Sequence, residues 1–287
     1  MKSGFVMLAG RSNVGKSTLL NALVGSKVAI VTPKPQTTRH PIRGVLHDTR
    51  GQLVFVDTPG VFLGKKDRVS RRLNEFVKEV LEGVEAITYV VDPTREMGAE
   101  EEHIQRLLRA ATIPIVLVIN KMDLVGIHHA MPRHLEAARS IDVGQRATME
   151  LSALSGKNLN LLVDELFNLV PVGELHYPDL QLTDISHNQW LEELIREKIF
   201  LNLEQELPYS TKVSLEAIEV RPDGSRFIAA TIWTTHERYK RMIIGKCGTK
   251  LKQIGSAARK EIEEVSGHKI FLELKVAVDA KWQERFA

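Results

Sequence analysis

The segment Gly10-Arg-Ser-Asn-Val-Gly15-Lys16-Ser17 constrains this chain most, because it joins an apolar run, Phe5 to Ala9, to a helix expected to begin near Lys16. A strand, a glycine-bearing loop and a helix in that order form a phosphate cradle. The glycines let backbone N–H groups approach phosphate oxygens, and the helix N-terminus adds partial positive charge. Lys16 is placed to reach the outer phosphates and Ser17 to ligate Mg²⁺. The candidate cradle comprises Gly10, Arg11, Ser12, Asn13, Val14, Gly15, Lys16, Ser17 and Thr18. By itself the loop leaves open which nucleotide is held, and whether phosphate is hydrolysed or passed on.

Apolar runs at Leu53 to Val56, Ile87 to Val91 and Ile115 to Ile119, each followed by polar turn residues, read as further buried strands alternating with helical patterns. This predicts an α/β domain with a mainly parallel sheet wrapped by helices. A closing helix is expected over Leu159 to Val170, stopped by Pro171. The first domain is therefore expected to span 1–171, a linker 172–183 and a second domain 184–287.

Asn120-Lys121-Met122-Asp123 directly follows one of these strands, which puts it at the carboxyl edge of the sheet, where ligands bind. The Asp123 carboxylate suits the N1 and N2 donors of guanine, whereas adenine would leave it unpaired, and charged hydrogen bonds contribute about 1.5–3 kcal/mol each. A solvated helix cap is the plain alternative. Asp57-Thr58-Pro59-Gly60 ends another strand, with Asp57 suited to the Mg²⁺ shell and the Gly60 N–H to a γ-phosphate. In the polar stretch Pro35-Gln36-Thr37-Thr38-Arg39, read as a mobile loop, one threonine of the pair is expected to complete that shell when GTP is present. Ser152-Ala153-Leu154, after Ala147 to Leu151, is expected to support the base through backbone N–H groups. Val61 stands where Ras-like proteins place a water-orienting glutamine, so intrinsic turnover should be slow. A potassium ion beside Asn13 is one compensation; an Asn13 that only braces the loop is the alternative.

Beyond the linker, Leu191, Ile195, Ile199 and Leu203 recur at a stride of four, and two strand-like segments, Thr211 to Arg221 and Arg226 to Thr235, flank Pro-Asp-Gly-Ser turn chemistry. Two helical pieces broken at Gly245 and Gly248 follow, then a strictly alternating strand, Ile270 to Val278. The order is α, β, β, α, α, β. Ile244-Gly245-Lys246-Cys247-Gly248 allows a tight turn through which phosphates of a single strand approach backbone. Around it, Arg238 to Lys260 holds eight basic residues and no acid, although the region after Val172 carries 17 bases against 18 acids. Charge is concentrated there, which suits RNA. The candidate RNA contacts are Arg241, Ile244, Gly245, Lys246, Cys247, Gly248, Lys250 and Lys252.

The longest apolar run, Ile113 to Ile119, is far short of the roughly 20 residues of a membrane-spanning helix. The N-terminus lacks the features of a secretory signal, and the single Cys247 permits no internal disulfide, so a cytosolic protein is expected.

Together these motifs, with the Gln36-Thr-Thr-Arg-His40 string and the second domain, resemble the Era family of ribosome-associated GTPases over essentially the whole chain. The resemblance implies that the second domain is a type II KH domain, and that Thr38 is the threonine near Mg²⁺ and γ-phosphate. Lys16, Thr38 and Gly60 then become the candidate catalytic contacts, and Ser17, Thr38 and Asp57 the metal site, with Asp57 expected to act through a metal-bound water. GTP or GDP with Mg²⁺ is the expected ligand set. The 3′ end of 16S rRNA and the 30S subunit are the implied partners, with peripheral membrane contact, no DNA and a monomeric chain. Two rivals predict otherwise: a P-loop phosphotransferase has no need of Asn120 or Asp123, and a plain RNA-binding protein shows no turnover.

Overall fold

The computed structural model describes residues 1–60, 83–129 and 131–282. Contacts divide the chain into two units, one of residues 1–31 with 35–184, the other of residues 32–34 with those from Ile185 onward.

The first unit is built on β1 (Lys2–Ala9), β2 (Ile42–Asp48), β3 (Gly51–Asp57), β4 (Ala86–Val91), β5 (Ile115–Ile119) and β6 (Ala147–Glu150), in the sheet order β2-β3-β1-β4-β5-β6. Only β2 runs antiparallel to its neighbour. The alternation of side chains along a strand explains the two cores. Val6 and Leu8 of β1 pack on one face with α1 (Lys16–Val24) and α4 (Leu159–Leu169). Met7 and Ala9 pack on the other with α2 (Ala99–Arg109) and α3 (Met131–Arg139). Apolar burial on both faces fixes the register, and because β1, β3, β4, β5 and β6 run parallel, the loops after their carboxyl ends come to one edge.

The segment expected to be a linker is instead tied into this unit. Val45 N–H donates to Leu182 O at 2.9 Å, Gly173 N–H to Met1 O at 2.9 Å, and Thr183 Oγ1 to Arg43 O at 2.7 Å. Buried Gln52 accepts from the N–H groups of His176 and Tyr177 and donates to Tyr177 O, each at 3.0 Å. These bonds run through backbone groups and the polar side chains of Gln52 and Thr183, and they leave no apolar period for a sequence reading to detect.

In the second unit, α5 (His187–Asn202) starts at a capping box in which Ser186 and Gln189 satisfy each other's backbone N–H groups. Its buried Leu191, Leu194, Ile195 and Ile199 cover a three-stranded sheet, β7-β8-β9. Here β7 (Thr211–Val220) and β8 (Arg226–Thr234) are antiparallel, and β9 (Ile270–Val278) joins β8 in parallel. Between β8 and β9 come α6 (Glu237–Ile244), a turn at Lys246–Gly248 and α7 (Thr249–Ser266). Among the described residues, no helix is long and apolar enough to cross a membrane.

Candidate functional site

The phosphate loop leaves β1 and enters α1 through Gly15, whose φ of 100° strains any other L-residue. A side chain there would also meet Asn120, 2.4 Å from a Cβ, so the loop backbone and the Asn120 amide lie in direct apposition. Lys16 is buried and folds back over the loop, donating to Gly10 O at 2.9 Å and Arg11 O at 3.0 Å. Burial pushes its ammonium pKa down, against the opposing pull of Asp57 and Glu101. A phosphate group in the cradle would favour the charged form.

Three oxygens from separate segments meet at the first turn of α1. Ser17 Oγ donates to Asp57 Oδ2 at 2.6 Å and lies 3.1 Å from Thr38 Oγ1, which is itself 3.5 Å from Asp57 Oδ2. Thr37 and Thr38 are both buried, so the loop expected to be mobile is packed at this point. Burial raises the Asp57 pKa, opposed by Lys16, Ser17 and Thr38. Its Oδ1 is buried without a hydrogen-bond partner, an uncompensated acceptor that suits a cation or a metal-bound water. No cluster of three His, Cys, Asp or Glu side chains suited to a metal exists among the described residues. One carboxylate with hydroxyls and phosphate oxygens is the donor set that Mg²⁺ takes beside a nucleotide. Gly60 closes this side: a Cβ there would stand 2.7 Å from the Ser12 backbone. Thr58 turns inward, donating from Oγ1 to Leu8 O, and Pro59 lies between them. Val61 lies outside the described residues.

The Asn120–Asp123 segment locks to the same loop. Asn120 donates to Val14 O at 3.0 Å and accepts from Ala153 N–H at 2.9 Å, bracing the loop against the Ser152–Leu154 turn. Asp123 accepts from Ser152 Oγ at 2.5 Å, and Met122 N–H donates to Leu151 O. Leu154 is 80% exposed, whereas Ser152 and Ala153 are buried. Lys121 donates to Asn13 O at 3.2 Å and Asp92 Oδ2 at 2.6 Å. Burial acts to raise the Asp92 pKa, but Lys121 and Thr94 outweigh it and hold the carboxyl below its usual range.

Several positioning residues escaped the sequence reading. The Arg11 side chain, in the loop, is engaged by Glu96 O and by a carboxylate of α2. Its Nε lies 3.1 Å from buried Glu101, which accepts from Tyr89 OH at 2.5 Å. Arg95 donates to Ser12 O at 2.8 Å. Asp92 had a signal, a carboxylate directly after the buried strand Ile87 to Val91, as Asp57 follows Val56. Glu101 had none, since its burial exists only once α2 packs.

In the second unit, α6 ends at Gly245 (φ 74°) and α7 is capped by Gly248 (φ 76°), with Cys247 also left-handed at φ 51°. Arg241, Lys246, Cys247, Lys250 and Lys252 are exposed around this turn, and Ile244 is half-buried. The first turn of α7 has no acid, so its N–H groups and the nearby cations present one sign of charge.

Comparison with known proteins places the two units. A family model described as "50S ribosome-binding GTPase" matches residues 5–121, and a KH domain model matches 206–283. The GTPase Era of Trichlorobacter lovleyi is 42% identical over 287 residues, covering 100% of this chain and 95% of that protein. The GTPase Era of Heliobacterium modesticaldum is 39% identical, covering 99% and 94%. Among solved structures, Aquifex aeolicus Era bound to GDP·AlF4⁻ superposes with a TM-score of 0.90 at 34% identity, covering 99% of this chain and 96% of that one. An Era complex with MgGDPNP and nucleotides 1506–1542 of 16S ribosomal RNA gives the same values.

Proposed function

Because this chain belongs to the Era family of GTPases, we propose that it is a GTP-driven switch whose KH domain engages the 3′ region of 16S rRNA during assembly of the small ribosomal subunit. It is a GTPase with a G domain and a KH domain. The convergence of Ser17, Thr38 and Asp57 beside Lys16 carries the site assignment.

In this reading the loop 10–18 holds the phosphates and Asp123 takes the guanine edge. Ser17 and Thr38, with Asp57 through a metal-bound water, would hold Mg²⁺, which when bound neutralises charge on the outer phosphates. Lys16 adds positive charge where the β–γ bridging oxygen gains negative charge, and Gly60 offers its N–H to the γ-phosphate. Water attacks phosphorus as the bond to the GDP oxygen breaks, giving GDP and phosphate. Asn13 is the proposed potassium contact, and equal rates in potassium and sodium at matched ionic strength would remove that part.

The protein is proposed to work in the cytoplasm, with peripheral contact to the inner face of the membrane. Cosedimentation with anionic vesicles tests that contact. The main test measures phosphate release from GTP with Mg²⁺, and affinity for 16S nucleotides 1506–1542 in the presence of GDP or a non-hydrolysable GTP analogue. Absence of turnover, or of RNA binding, rejects the corresponding half.

A further inference from the structure

We propose that the KH unit carries a second RNA contact, a base-stacking site at Phe271 flanked by Arg221 and Arg259, on the far side of edge strand β9 from the Gly245–Gly248 turn. It rests on the RNA reading above and extends it to a named surface.

Among the described residues, strand β9 pairs only with β8. Arg226 N–H donates to Lys269 O, so in a parallel ladder the residues 269, 271 and 273 turn their backbone groups toward β8. Leu272 therefore directs its N–H and C=O outward, along the open edge. Side chains alternate as well. Leu272 and Leu274 pack into the core beneath the helices, which sends Phe271 to the opposite face.

On that face the Arg221 guanidinium lies 4.4 Å from the Phe271 ring centroid and 5.5 Å from that of Phe227. Lys269 Nζ stands 5.3 Å from the Phe271 centroid. Phe271 nevertheless remains 38% exposed. A cleft of about 340 Å³ opens beside it and reaches around the strand edge to Arg259 on α7. Glu273, an acid in the lining, is matched by Lys275 at 2.9 Å.

A partly exposed aromatic ring with a guanidinium plane over it offers stacking surfaces to a nucleobase, and the arginines with the outward Leu272 backbone groups suit its edge and its phosphate. An acidic peptide would use the arginines but has no use for the ring face. From Gly248 to Arg259 runs about 16 Å of helix. A KH turn clamps about four nucleotides, so a longer strand has room to continue to this cleft.

The test uses the full chain and its Phe271→Leu and Phe271→Tyr variants. The probes are 16S nucleotides 1506–1542 and fragments of them about four nucleotides long, with 2-aminopurine placed at successive positions. Phe271→Leu should weaken the long RNA roughly 5- to 100-fold and leave the tightest short fragment unchanged. It should also remove the quenching of one 2-aminopurine, and Phe271→Tyr should restore both signals. Equal binding of the long RNA by the leucine variant, or a loss that tyrosine does not rescue, overturns this site alone. Failure of the unaltered chain to bind any of the probes overturns the RNA reading and this site with it.

Discussion

Around the phosphate loop, Lys16, Asp57 and Asn120 are buried and drawn from three separate segments, and most of their polar atoms are already engaged. Around the Gly245–Gly248 turn, Arg241, Lys246, Lys250 and Lys252 stand exposed within one short stretch of chain. The contrast separates two ways of holding phosphate. A buried site recognises through the cost of leaving a polar group unpaired, so each residue matters greatly. An exposed turn holds through many screened charges, so its affinity is shared and salt-dependent.

The sharpest way to break this contrast is Lys16→Ala. Removing one preorganised charge from a buried site should lower GTP turnover about 10²- to 10³-fold, with RNA affinity in the absence of nucleotide unchanged. Single-turnover phosphate release measures the first and filter binding the second. A turnover loss below tenfold would mean that the buried lysine is not a phosphate contact.

The matching test on the second unit needs a backbone change. Gly245→Asp with Gly248→Asp places carboxylates on two left-handed positions, where a Cβ at 245 already lies 3.0 Å from Lys250. RNA affinity should fall roughly 100-fold, and GTP affinity should survive. Retained RNA binding would move the clamp elsewhere.

Recognition of the base should be reversible by one atom pair. Asp123→Asn should lose GTP preference by roughly 10- to 100-fold and favour xanthine nucleotides, because an amide donor matches the O2 carbonyl that replaces the guanine amine. Competition between GTP and XTP reads the switch, and an unchanged preference removes Asp123 from the base contact.

Legibility in the sequence followed the same division. The loop 10–17, Asn120–Asp123 and the Gly245–Gly248 turn were readable because each is contiguous, and each sits where a change of apolar period places it at a strand or helix end. Strand β2 was not, since Arg43, His47 and Asp48 interrupt its apolar pattern and it is the antiparallel edge of the sheet. Residues 172–183 read as a linker because Gln52, the Thr183 hydroxyl and backbone groups, rather than apolar side chains, tie them to the first unit. Tyr89, Glu101 and Arg11 form a buried charged network that ordinary composition cannot signal, because charged residues are expected at the surface.

Burial also gives the first site a pH response. Burial raises the Asp57 pKa from the ordinary carboxylate value of 3.8. Metal binding needs the carboxylate, so Mg²⁺-nucleotide affinity should weaken as pH falls through that raised value, by about tenfold per unit below it. In the ligand-free protein the sign is opposite: the native state holds this proton more tightly than the unfolded chain, so stability declines as pH rises from 3.8 through the folded value. Titration calorimetry of Mg²⁺-GDP across this range should show the trend, and Asp57→Asn should flatten it. A flat profile in the unaltered protein would place the carboxylate outside the metal shell.

The smallest expected effect tests the contrast most closely. Lys250 is exposed and shares its stretch with several other cations, so Lys250→Gln removes one counterion-releasing contact and no buried group is left unpaired. The slope of log affinity against log salt should shallow by about 0.7, the share of one phosphate on a single strand. At physiological salt this amounts to a loss of only a few-fold, because screening already weakens each exposed charge. The effect should be uniform across RNA sequences, since a lysine at phosphate reads no base. Affinity measured over a salt series with two unrelated RNAs decides the matter. A loss approaching that of Lys16→Ala on turnover, or one confined to a single sequence, would show Lys250 acting as a buried-type contact, and the distinction between the two sites would fail at that residue.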